Sequence, residues 1–200
     1  VMDSNGPLFE LDRAQMTALL NELGDRLEAR GIAASLYLVG GAAMTLAYGR
    51  DGLTPDIDAL TSHAAVLDEA TSMAQDHGLP EGWLNSNAAG WVPPRPEWAL
   101  TPPTKPGLTI HIAPPEHVLA MKLIATRRKD RPDIRLLIRE VGMEDAPPEE
   151  YADLLARVYD GEGLLPTMLG IKGADPAATR TEAIRIGEWA HQFASELHNS

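Results

Sequence analysis

Cysteine is absent from the 200 residues, which excludes disulfides, thiolate nucleophiles and zinc–thiolate centres. No run approaches eighteen consecutive apolar residues, so a transmembrane span is not expected. The N-terminus has no basic stretch followed by an apolar core, so no secretory leader is expected and a cytoplasmic location fits. Basic residues are the minority sign, 17 against 29 acidic for a net charge of −12. A general nucleic-acid coat would be basic, so this chain could hold RNA only through a local patch. Internal repeats are lacking, and the one biased tract is the proline-rich stretch 90–107, which should run as an irregular loop held down by Trp91 and Trp98. What is present is a 44% hydrophobic content, enough for a real core in one large domain or two small ones.

The most informative stretch is Leu38-Val39-Gly40-Gly41, with Asp56-Ile57-Asp58 beginning fifteen residues after Gly41. An apolar run ends at two glycines, a small-residue helical pattern follows, and a polar turn leads to the acids. In a strand, residues two apart share a face, so Asp56 and Asp58 should project together while Ile57 points into the core. Two adjacent acids repel unless a cation lies between them. Mg²⁺ suits hard oxygen ligands and shares them with substrate phosphates. Glycines opening a helix free backbone N–H groups and let a phosphate approach. Each half has a bland alternative, a tight turn for the glycines and a solvated strand end for the acids; it is the order of the two that points to nucleotide handling.

Asp12 should cap a first helix carrying Met16, Leu19, Leu20, Leu23 and Leu27, after an unstructured lead at 1–10. A strand is expected over 32–39, a helix over 41–49, a strand ending near Leu60 and a helix over 63–77 stopped by Gly78. Trp83 is read as a plug for the sheet edge rather than a platform for a base. Leu108 to Ile112 reads as a strand showing Thr109 and His111 on one face. Pro115 opens a helix, and Lys122 sits among its apolar residues, a position that calls for an anionic partner, either a triphosphate or a core carboxylate. Between 122 and 135 six cations (Lys122, Arg127, Arg128, Lys129, Arg131, Arg135) meet two acids, Asp130 and Asp133, a local +4 that leaves −16 for the rest. Asp130 is placed to cap a helix before Pro132, and Asp133 to orient Lys122 or Arg127. The remainder reads as helical, ending in a long helix from Pro176 to His198.

The glycine pair, the Asp-x-Asp strand, the run Gly78-Leu79-Pro80 to Trp83-Leu84-Asn85, and the pattern Lys122-Leu123-x-Ala125-x-Arg127-x-x-Asp130-x-x-Asp133-Ile134 together resemble the nucleotidyltransferase superfamily, in its bacterial abortive-infection and toxin-type branch. The resemblance covers about residues 33–138. It implies an α+β fold, with a mixed sheet flanked by helices in a domain at 1–140 and a helical part at 141–200. It implies Mg²⁺ on Asp56 and Asp58, an NTP co-substrate held by Gly40, Gly41, Thr54, Lys122 and Arg127, and catalytic roles for Asp56, Asp58, Lys122 and Asp133. Transfer of an NMP to a tRNA 3′ end, by a toxin with a protein antitoxin partner and no membrane association, is the activity implied. The alternatives are a small-molecule acceptor, which suits the acidic surface, a phosphohydrolase, and a non-catalytic binding module. Many members carry a third carboxylate on a later strand. The expected strand is 108–112, where Thr109 and His111 stand in its place, with His111 a substitute base near neutral pH.

Overall fold

Asp12 caps the first helix reciprocally. Its carboxylate accepts from the Gln15 N–H at 2.8 Å, while the Gln15 side chain accepts from the Asp12 N–H at 2.9 Å, a capping box worth about 1 kcal/mol. A computed structural model describes residues 9–161 and 163–197, so most of the expected lead, residues 1–8, and His198 of the last helix lie outside the described residues. The fold is mixed α+β. Two compact units emerge, one comprising Val1–Gly90 with Glu97–Ile112, the other Trp91–Pro96 with Ala113–Ser200. Residue 140, the expected boundary, thus falls inside the second unit.

The first unit runs α1 (Arg13–Ala29), β1 (Ala33–Leu38), α2 (Gly40–Ala47), β2 (Ile57–Leu60), α3 (Ala64–His77), β3 (Leu84–Asn85), α4 (Glu97–Leu100) and β4 (Gly107–Ile112). The strands form one mixed sheet in the order β3-β2-β1-β4. β1 is antiparallel to β2 and parallel to β4, and β2 is parallel to β3. Ala34, Leu36 and Leu38 of β1 and Ile57 and Ala59 of β2 join Met16, Leu20, Leu23 and Leu27 of α1 and Val66, Ala70 and Met73 of α3 in a single core. The alternation of apolar residues along each strand sets that face, because side chains alternate across a sheet. Charged residues tie the two covering helices together: Arg26 of α1 reaches Glu69 and Asp76 of α3, and His77 reaches Glu22. Trp83 is fully buried and donates its indole N–H to the Ala70 carbonyl at 2.9 Å, as expected of a plug.

The proline-rich loop departs from expectation. It contains a helical turn, α4, entered from Pro96 and stopped before Pro102, because proline is compatible with a helix start and not with its continuation. Trp91 and Trp98 do not seal it, at 54% and 49% exposed.

The second unit contains α5 (Pro115–Ala125), α6 (Arg131–Glu140), α7 (Pro148–Val158), α8 (Leu164–Met168) and α9 (Pro176–Leu197). Prolines lie in the first turns of α5, α6 and α7, where their missing N–H costs nothing. The stretch 115–140 holds two helices. α5 stops at Thr126, left-handed at φ 47°, and a 3-10 turn at Arg128–Asp130 leads into α6. Buried Val118, Leu123, Ile134, Leu137, Ile138, Leu154, Leu155 and Phe193 form the interior.

Two buried tyrosines stitch loops to this interior. The Tyr151 hydroxyl donates to the Met143 carbonyl at 2.6 Å and that of Tyr159 to the Trp91 carbonyl at 2.8 Å. Burial, assisted by the charges of Glu144 and Glu150, pushes the Tyr151 phenol up to about 12, and burial raises that of Tyr159. An unfolded tyrosine ionises near pH 10. The contribution of Tyr151 is therefore complete below pH 10 and lost as the pH rises towards 12, at up to about 1.4 kcal/mol per pH unit. Urea midpoints measured from pH 9 to 12 should fall, and fall less steeply for Tyr151→Phe. Parallel curves would show that this phenol is not held in its protonated form.

Candidate functional site

Only one of the two acids lies in the strand. Ile57 and Ala59 of β2 are buried, whereas Asp58 on the strand and Asp56 in the bend just before it are half-buried. Their neighbours explain the two glycines. Gly40 takes φ +59°, and a Cβ there would stand 3.2 Å from Asp58 Oδ2. A Cβ on Gly41 would stand 2.8 Å from Thr54 Oγ1 and 3.3 Å from Arg50 Nη1, closer to the hydroxyl than real Cβ contacts come. The first turn of α2 is thus backbone laid directly against a carboxylate, a hydroxyl and a guanidinium. Val39, the residue before α2, makes no side-chain capping bond.

Thr54 was expected to bind nucleotide. It is 4% exposed, its hydroxyl donates to the Asp56 carbonyl at 3.0 Å, and its backbone bridges Leu11. With its one proton used in this way, Thr54 braces the loop that carries Asp56. Arg50 was not singled out in the sequence. Its guanidinium lies beside Gly41 and also donates to the Leu53 carbonyl at 3.2 Å.

Asn85 is the other residue that sequence reasoning missed. It is the Cα partner of Asp58 in the parallel pair β2–β3, and its Nδ2 donates to Asp56 Oδ2 at 2.9 Å. The expected strand for a third acid is 108–112. β4 pairs with β1, two strands away from β2, so Thr109 and His111 are not the side chains next to the acid pair. His111 is the Cα partner of Tyr37 and meets Trp98 edge-on at 5.4 Å. Its Nε2 is shielded and has no hydrogen-bond partner among the described residues, which suits a packed ring better than a general base. Asn85 ends the run Gly78-Leu79-Pro80 to Trp83-Leu84-Asn85 quoted for the resemblance, but the alternation Trp83-Leu84-Asn85 is too short to announce a strand.

Two carboxylates with hard oxygens suit Mg²⁺. Among the described residues no group of three or more His, Cys, Asp or Glu gathers as a ready metal cage.

Lys122, Arg127, Asp130 and Asp133 belong to the second unit. Of the two partners considered for Lys122, core carboxylates are the ones present. Its Nζ lies 2.8 Å from Asp130 Oδ1 and 2.8 Å from Asp133 Oδ2, and all three residues are buried. Asp130 does precede α6, but its side chain makes no capping bond; it is drawn to Lys122 instead. Both acids of the basic segment are thereby turned inwards. Arg127, Arg128, Lys129 and Arg131 stay exposed, with the Arg131 guanidinium 5.0 Å from the centre of the Phe193 ring, a cation–π contact. Thr126, β-branched and left-handed, is a strained entry to this turn.

No family model matches the chain, and no curated protein or solved structure matches it significantly.

Proposed function

We propose that the protein is a Mg²⁺-dependent nucleotidyltransferase that moves an NMP from an NTP to an acceptor hydroxyl. The observation that carries the reading is the approach of the Gly40-Gly41 backbone to Asp58, Thr54 and Arg50, with Asp56 in the bend two residues before Asp58. That arrangement supplies the two things a triphosphate needs, N–H donors for terminal phosphates and carboxylates for the accompanying cation. When bound, the cation would neutralise charge on the transferred phosphoryl group and the leaving pyrophosphate. The chain's own residues do the rest. Asp56 and Asp58 hold the cation, the first N–H groups of α2 hold phosphate, and Arg50 adds positive charge beside Gly41. Lys122 and Asp133 serve this reading by fixing the basic turn, and Arg127 belongs to the turn itself.

RNA is the acceptor class this reading favours, because the exposed cations Arg127, Arg128, Lys129 and Arg131 lie in a turn whose acids are buried. Phosphate contacts of this kind bind RNA without needing a basic protein overall. A toxin acting on tRNA ends in the cytoplasm, neutralised by an antitoxin, remains the specific form proposed. The test is incubation of the chain with each α-labelled NTP, Mg²⁺ and total RNA, beside the Asp56→Ala/Asp58→Ala variant. Label that migrates with tRNA and disappears in the variant supports the proposal. Mg²⁺-dependent stabilisation by NTP without RNA labelling redirects it to a small-molecule or protein acceptor. Absence of both leaves a binding module.

A further inference from the structure

We infer that Asn85 makes divalent-cation binding at Asp56 and Asp58 depend on bound nucleotide. The inference rests on the reading above and concerns the way the same site is controlled. β2 has two neighbours in the sheet. Towards β1, the Val39 N–H donates to the Asp58 carbonyl at 3.0 Å, and the chain then turns into Gly40, which has no side chain. Towards β3, Asn85 stands in register with Asp58. Parallel partners point the same way from a sheet, so the side chain that the sheet sets beside the acid pair is a neutral amide.

That amide is held firmly. Nδ2 donates to Asp56 Oδ2 at 2.9 Å and to the Gly82 carbonyl at 3.1 Å, and Oδ1 accepts from the Asn87 N–H at 2.9 Å. The bond from the Asn87 N–H fixes which end of the amide faces Asp56. Asn85 therefore presents a donor to the acids and keeps its own oxygen turned away. It orients Asp56, occupies part of one of its oxygens, and adds no negative charge. A cation that prefers six oxygens finds two carboxylates here, and Asp56 already accepts from Asn85. The remaining oxygens must come from nucleotide phosphates and water, which makes Asn85 a positioning residue that leaves the site incomplete until substrate arrives.

Mn²⁺ binding to the full chain, followed by electron paramagnetic resonance with and without α,β-methylene analogues of the NTPs, tests this. The wild type should hold Mn²⁺ at least ten-fold more tightly with its nucleotide than without. Asn85→Asp supplies a third carboxylate and should tighten nucleotide-free Mn²⁺ binding about ten-fold, with Mn²⁺ alone now raising the melting temperature. Asn85→Leu removes the donor to Asp56 without adding charge and should weaken nucleotide-dependent binding about ten- to a hundred-fold, as loss of an outer partner does, with no gain in nucleotide-free binding. Wild-type affinity for Mn²⁺ that is equal with and without nucleotide, or unchanged nucleotide-free affinity in a folded Asn85→Asp protein, overturns the inference while leaving the metal site standing. Failure of the wild type to bind Mn²⁺ even with nucleotide overturns the metal reading and this inference with it.

Discussion

Replacing Lys122 with methionine should lower the free energy of unfolding by about 3–5 kcal/mol, the usual cost of removing one partner from a buried ion pair. The side chain of Lys122 is 9% exposed, and those of Asp130 and Asp133 are 12% and 8% exposed. Methionine fills a similar volume, so packing changes little. What remains is two carboxylates facing the same vacated point, both deprived of the Lys122 ammonium, and like charges brought together in a poorly hydrated place repel. The triple change Lys122→Met, Asp130→Asn, Asp133→Asn should recover much of the loss, since the cost lies in unpaired charge rather than in the missing lysine. Urea denaturation of the three proteins at neutral pH settles the matter. A single-variant loss below about 1 kcal/mol would mean that water reaches the triad and screens it as at a surface.

Gly187→Ala should also be strongly destabilising, by about 3 kcal/mol or more. Within a helix, glycine to alanine is ordinarily worth about 1 kcal/mol in favour of alanine, so backbone propensity alone forecasts a gain. Packing forecasts the reverse. Gly187 lies on α9, which has its most extensive helix contact with α7, and a Cβ there would enter the carbonyl group and Cα of Pro148. The obstructing atoms are backbone in the first turn of α7, at a residue whose φ is fixed by its own ring. No rotamer change relieves the overlap, so the helices must separate and give up buried contact. Thermal unfolding decides between the two forecasts by sign alone, and a variant as stable as the parent would show that α9 can shift without cost.

The parts of this fold legible in the sequence are those fixed by neighbours along the chain. Asp12 announced its helix, Gly78 closed α3 at φ 64°, and the spacing of Ile57 and Ala59 from the acids indicated which side chains turn inwards. What was hidden depends on pairings distant in sequence. Nothing in Leu108–Ile112 says that it lies against β1 and not β2, and two residues of β3 carry no period from which to infer a strand. The candidate site was legible to the same extent: its acids and glycines could be named from their spacing, while Asn85 and Arg50 come to them through pairing and loop geometry. Lys122 showed its need for an anion, but not that Asp130 and Asp133, eight and eleven residues on, would meet it together.

Residues Trp91–Pro96 belong to the second unit, although the residues on both sides belong to the first. The chain therefore changes unit three times, and no single cut divides it into two whole parts. A fragment beginning at Ala113 would lack the Trp91 carbonyl that accepts from Tyr159, leaving a deeply placed phenol without its acceptor. During synthesis the same segment leaves the ribosome before β4 and well before α7. It has to wait, unpaired, through about sixty-eight residues of further elongation, several seconds at ordinary rates, before its acceptor carbonyl is used. The second unit is thus the last to finish for a reason of connectivity, and newly made chains should pass through a stage in which the sheet is complete and this short proline-bearing strap is still loose.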